Sequence, residues 1–86
     1  MANLAPVPDA LTDEQVLMCP DIMSTGFSGA ERAGVGIGDT VAVFAQGPIG
    51  LCAAAGAKLC GATTVIGVDR LANRLAIARR LGVDLV

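Results

Sequence analysis

Residues 40–69 read TVAVFAQGPIGLCAAAGAKLCGATTVIGVD, and their order decides the fold. Val41, Ala42, Val43 and Phe44 form a short apolar run with β-branched residues, the pattern of a buried strand. Ala45-Gln46-Gly47-Pro48-Ile49-Gly50 then turns the chain. Leu51 to Leu59 is alanine-rich and suits a helix. Thr63 to Val68 is a second apolar strand, closed by Asp69. Strand, glycine turn, helix and strand make a βαβ unit, which implies parallel strands and a right-handed crossover.

The residue types in the turn suit a phosphate ligand. Gly47 has no Cβ, so a ligand can approach its backbone closely. Pro48 fits a helix start, where its missing N–H costs little. Gly50 lets the helix pack tightly on the strand. The helix N-terminus offers unpaired N–H groups and partial positive charge, which suit a pyrophosphate. Asp69 stands 19 positions after Gly50, close to the roughly 20-residue spacing of a carboxylate that holds a ribose 2′-hydroxyl. The first glycine of the dinucleotide fingerprint is replaced by Ala45, so the match is A-x-G-x-x-G. The alternative is a glycine turn that serves close packing alone.

The chain has 86 residues, of which 53% are hydrophobic and 16% charged. A domain near this size buries only about 60–65% of the surface its unfolded chain exposes. A parallel sheet needs cover on both faces, and two or three strands with their crossovers cannot easily supply it. A piece of a larger protein, or self-association, is therefore expected. The net charge is −2 with no basic patch, which argues against nucleic acid and anionic membranes. No apolar run reaches the length of a membrane span, and no signal peptide is visible. Cys19, Cys52 and Cys60 are odd in number and lack C-x-x-C spacing, as for buried thiols in a reducing cytoplasm. Histidine is absent, which removes the commonest general base and zinc ligand.

Before the βαβ unit, Met1 to Asp9 carries Pro6 and Pro8 and reads as extended. Thr12 and Gln15 have capping-box spacing, so a short helix starts there and is expected to stop near Met18, before Pro20. A second helix is expected over 21–33, where Gly26 and Gly29 suggest close approach by another helix or a ligand. Gly34 to Asp39 is a turn-rich connector. After Asp69, a helix over 71–81 should face the sheet with Leu71, Leu75, Ala78 and Leu81, and Gly82 should stop it. Val83 to Val86 begins a third strand. The predicted fold is α/β: a partial Rossmann unit, βαβα plus the start of a third parallel strand, preceded by helices.

In this order the motifs resemble the zinc-dependent, medium-chain alcohol dehydrogenases. Cys19-Pro20-Asp21-Ile22-Met23-Ser24-Thr25-Gly26-Phe27-Ser28-Gly29-Ala30-Glu31 is similar to the family's segment between its catalytic and cofactor domains. Gly38 to Phe44 resembles its entry into the first strand. Gly47-Pro48-Ile49-Gly50-Leu51, Gly61-Ala62, Gly67-Val68-Asp69 and Ala78-Arg79-Arg80-Leu81-Gly82 continue the pattern. The resemblance covers nearly the whole chain. It implies a linker and interdomain helices at 1–38 and the first half of a dinucleotide-binding domain at 39–86. Asp21 resembles the secondary-alcohol branch, in which a carboxylate stands where other members have cysteine.

The resemblance implies roles residue by residue. Asp21 matches the third catalytic-zinc ligand, and Thr25 a threonine at the nicotinamide end. Gln46, Gly47, Pro48, Ile49 and Gly50 match the pyrophosphate loop. Asp69 matches the acid on the adenosine ribose, and Arg74 a basic residue beside it. A carboxylate accepts from a 2′-hydroxyl and repels a 2′-phosphate, so NAD is expected over NADP; Arg70 is the residue that could instead meet a phosphate. The family's other zinc ligands, a cysteine and a histidine, have no match here. Zinc is therefore not expected to bind stably to this chain. A solvated or capping role is the alternative for Asp21, and a solvated charge for Arg70 and Arg74. The implied activity is hydride transfer between an alcohol or ketone and NAD in the full-length enzyme, with this chain alone inactive. The alternative function is a non-catalytic nucleotide-binding or assembly module.

Overall fold

The computed structural model describes residues 4–86. The expected extended segment at 1–9 is irregular from residue 4 onward, and residues 1–3 lie outside the described residues. Helix α1 (Asp13–Val16) opens on the predicted capping box. Gln15 donates its N–H to the Thr12 hydroxyl at 3.2 Å, and its Oε1 accepts from the Thr12 N–H at 2.9 Å. This helix ends at Val16, close to the stop expected near Met18, and Pro20 comes after it. Pro20 sits in the first turn of a π-helical segment, Cys19–Met23, that runs directly into α2 (Ser24–Arg32). A proline is tolerated there because a first-turn N–H has no intrahelical partner to lose.

Strand β1 (Thr40–Phe44), helix α3 (Pro48–Leu59), strand β2 (Thr64–Val68) and helix α4 (Ala72–Arg80) then follow. The strands pair in parallel, Thr40 with Thr64 through Phe44 with Val68. Leu85 adds a parallel bridge to Ile66, so β2 lies between β1 and the start of a third strand. This is the partial Rossmann topology that the sequence predicts.

Helices α2, α3 and α4 end in the same way. Each is followed by a cap residue and then by a glycine at positive φ: Gly34 at 72°, Gly61 at 106° and Gly82 at 99°. In each, the next residue donates back across the last turn, Val35 to Ala30, Ala62 to Ala57 and Val83 to Ala78. These are Schellman stops, which need a residue free to adopt left-handed backbone. The residue after each glycine is apolar and joins the core, so the stop also aims the chain inward.

The core is built from small residues: Ala30, Ala54, Ala57, Ala62, Val65, Ala78 and Val83. Small side chains allow close crossings. A Cβ on Gly26 would lie 2.5 Å from Cys52 Cβ, and one on Gly56 would lie 3.1 Å from Phe27 Cα. Helices α2 and α3 therefore meet backbone to backbone, whereas Gly29 faces open space. Of the residues expected to bind α4 to the sheet, Ala78 is buried and Leu75 half-buried, but Leu71 and Leu81 are exposed. An alanine, Ala78, is the one fully buried residue of the helix. On β1 and β2, Val41, Val43, Val65 and Gly67 face the helices. Phe44 is 76% exposed, and Ala42 and Val68 are also exposed. One face of the parallel sheet is thus open within this chain, where such sheets ordinarily carry cover on both. Among the described residues no helix is long and apolar enough to cross a membrane.

Candidate functional site

The site forms where β1 and β2 end, beside the start of α3. Ala45 leaves β1 at φ 73°, a left-handed conformation for a non-glycine residue. Gly47 is the N-cap of α3 and Pro48 its first residue. No side chain caps this helix, so its first N–H groups remain available to a ligand. Gly50 must be glycine for another reason. A Cβ there would fall 1.8 Å from the Ala45 carbonyl oxygen, so the turn can close only without one.

Asp69 reaches this turn from the end of β2. Its Oδ2 accepts the Gln46 N–H at 2.8 Å, and its Oδ1 accepts the Leu71 N–H at 2.9 Å. The Arg74 guanidinium stands 3.7 Å from the same Oδ2. The Gln46 N–H and then the Leu71 N–H hold the carboxyl below the ordinary aspartate value near 3.8, helped by the Arg70 N–H and the Arg74 charge. The Asp69 side chain is only 6% exposed, so it serves as a brace between the two strand ends. Each carboxylate oxygen still has acceptor capacity beyond its one backbone N–H. Ala45, Val68, Asp69, Arg70, Leu71 and Arg74 line an open recess beside it. The structure thus brings Gln46, Gly47, Asp69, Arg70 and Arg74 together.

Gln46 turns its side chain into the fold. It is 1% exposed and points beneath the turn. Its Nε2 donates to the Val43 carbonyl at 2.8 Å and more weakly to that of Ala45 at 3.3 Å. Its Oε1 lies where a Cβ on Gly67 would approach to 3.0 Å. The side chain props the turn from below, and its backbone N–H is taken by Asp69. Pro48 and Ile49 remain exposed at the helix start.

Asp21 and Thr25 are brought together elsewhere. The Thr25 hydroxyl donates to Asp21 Oδ1 at 3.2 Å, and both residues are exposed. The π-helical turn beneath them is closed by the Ser24 hydroxyl, which donates to the Cys19 carbonyl at 2.6 Å. Asp21 caps no helix end. Among the described residues no three His, Cys, Asp or Glu side chains converge to hold a metal ion. One carboxylate does not fit a catalytic zinc, which needs about three protein donors.

Sequence reasoning missed Asp84. Its Oδ2 accepts Lys58 Nζ at 2.6 Å and the Val65 N–H at 2.7 Å, tying α3, β2 and the third strand into one unit. Those two donors, Lys58 first, hold its carboxyl below the ordinary value. An acid just after the apolar Val83 was the available signal.

Residues 48–86 match the family model described as zinc-binding dehydrogenase. An alcohol dehydrogenase from Cupriavidus necator is 74% identical over 85 residues, which are 99% of this chain and 23% of that protein. The chain carries the zinc-dependent, medium-chain alcohol dehydrogenase-like fold, as a partial domain. An NADP-dependent isopropanol dehydrogenase from Thermoanaerobacter brockii is 53% identical over 66 residues, 77% of this chain and 19% of that protein. Among solved structures, an alcohol dehydrogenase from Thermus sp. ATN1 superposes with a TM-score of 0.87 at 34% identity, covering 95% of this chain and 24% of that one. This dehydrogenase-like chain therefore spans about a quarter of the length of the relatives it matches.

Proposed function

We propose that the chain supplies the adenosine half of the NAD site of a zinc-dependent alcohol dehydrogenase. The observation that carries this reading is the 2.8 Å bond from the Gln46 N–H to Asp69 Oδ2. It sets an acid beside an uncapped helix N-terminus, with an open recess between them and α4. Gln46, Gly47, Pro48, Ile49 and Gly50 would form the pyrophosphate loop, and Asp69 and Arg74 would flank the ribose, with Arg70 beside it. Asp69 favours NAD over NADP because a 2′-phosphate would meet its charge. The bound nicotinamide would supply the hydride acceptor, and the fold its orientation.

Residues 1–38 then form the linker and interdomain helices, and residues 39–86 the first half of the cofactor domain. Thr25 would face the nicotinamide end. Asp21 would stand where the secondary-alcohol branch has a carboxylate zinc ligand, and by itself it makes no zinc site. The substrate would be a small alcohol or ketone in the whole enzyme, and the three free thiols suit a cytoplasmic setting. The open sheet face bearing Phe44 suits either further dehydrogenase sequence or self-association. The second reading is a nucleotide-binding or assembly module without chemistry.

Titration with ADP and with 2′,5′-ADP tests the proposal. The wild-type chain should bind ADP more tightly, and Asp69→Ser should narrow the difference. Equal affinity for both ligands in the wild type would refute the NAD assignment.

A further inference from the structure

We infer that the Gln46 carboxamide is a positioning group: it lets an alanine hold the left-handed place in the turn that the dinucleotide fingerprint gives to glycine. This deepens the function proposed above and rests on it wherever a nucleotide is concerned. Three neighbouring residues each break a local rule. Ala45 carries a Cβ at φ 73°, although a Cβ disfavours left-handed backbone by roughly 5- to 30-fold in population. Gln46 is 1% exposed, yet among the described residues its Oε1 has no hydrogen-bond partner, and such a buried acceptor is ordinarily costly. Gly67 stands inside β2, where a glycine weakens a strand.

One arrangement accounts for all three. The Gln46 amide nitrogen donates to the Val43 carbonyl at 2.8 Å and to the Ala45 carbonyl at 3.3 Å. These carbonyls lie either side of the point where the chain leaves β1, so the amide grips the bend from within. The Ala45 N–H donates to the Val68 carbonyl at 2.7 Å. With its N–H and its carbonyl both held, Ala45 is kept in a conformation it would otherwise rarely adopt. A carboxamide brings an acceptor along with its donor, and here the acceptor is left over. Gly67 makes the room: a Cβ there would lie 2.9 Å from Gln46 Cδ and 3.0 Å from Oε1. The Gln46 side chain lines no part of the recess beside Asp69, so it acts through the Ala45 backbone. That backbone bears on α3, because a Cβ on Gly50 would fall 1.8 Å from the Ala45 carbonyl oxygen. Turning the Ala45 peptide would disturb this contact and the first turn of the helix with it.

The test compares wild type, Gln46→Met, Ala45→Gly and the double variant of the full chain by NMR, urea denaturation and ADP titration. Methionine keeps the length of glutamine without its donor. Wild-type Ala45 should show the strong intraresidue amide–Hα NOE of positive φ, and Gln46→Met should weaken it. Ala45→Gly should raise the urea midpoint more in the Gln46→Met background than in wild type, because glycine needs no support there. ADP affinity should fall about fivefold in Gln46→Met, since only the competent fraction of turns binds, and should recover in the double variant. A side chain that merely fills space would lower stability without this coupling. An unchanged Ala45 NOE in Gln46→Met, or equal gains from Ala45→Gly in both backgrounds, would therefore overturn the inference. If Gln46→Met does not fold, rescue of folding by Ala45→Gly is the expected result, and its failure overturns the inference equally. A wild type that binds no ADP would remove the proposed function, while the NOE and the urea midpoints would still decide the role of Gln46.

Discussion

The Gln46 N–H and Asp69 Oδ2 lie 2.8 Å apart although 23 positions separate the two residues in the chain. This bond joins the turn after β1 to the end of β2, so the turn's shape depends on an acid from the neighbouring strand. An acid acting as a brace has a predictable pH signature. The Asp69 carboxyl titrates below the ordinary value near 3.8. Its stabilising effect is therefore complete above that value and is lost as pH falls through the lower folded value. Urea melts of wild type and Asp69→Asn should differ most near neutral pH and begin to converge below about pH 4. A gap that persists unchanged at pH 3 would show that the charge is not the cause.

Ala45 occupies left-handed backbone at φ 73°. That conformation costs a residue with a Cβ about 1–2 kcal/mol. Glycine removes the cost but gives back roughly 0.5–1 kcal/mol in unfolded-state freedom. Ala45→Gly should therefore stabilise the chain by about 0.5 kcal/mol, or ~2–4 °C in a thermal melt. It would also restore the first glycine of the fingerprint. Ala45→Val, with a branched side chain, should lower the melting temperature.

Gly26 and Gly29 are on the same helix, and their substitutions should have opposite signs. A Cβ at Gly26 would strike Cys52 and the backbone of α3, whereas one at Gly29 meets nothing. Gly26→Ala should destabilise by about 1–3 kcal/mol through overpacking. Gly29→Ala should stabilise by about 0.5–1 kcal/mol, because alanine has less backbone freedom to lose in a helix. Denaturant midpoints of the two variants decide the matter.

Asp84 makes its own prediction through the Val65 N–H, which it accepts at 2.7 Å. Asp84→Ala removes that acceptor and also frees Lys58. Hydrogen exchange at the Val65 amide should become faster, and that at Leu51 in the first turn of α3 should change little. Uniform acceleration across the chain would point instead to global destabilisation.

The local pattern of the chain was enough to establish the strand–turn–helix–strand order. Apolar runs, a glycine turn and an acid near the fingerprint spacing are all properties of sequence neighbours, and the parallel pairing of the two strands follows from them. The capping box at Thr12 and the stop at Gly82 were legible for the same reason. Rotations and long-range contacts were not. Whether Gly26 or Gly29 meets α3 depends on how two helices cross. That Gln46 lies beneath the turn, and that Arg74 lies over Gly47, depends on how separate elements dock around it. No periodicity encodes those placements, because each is the joint outcome of packing among segments far apart in the chain.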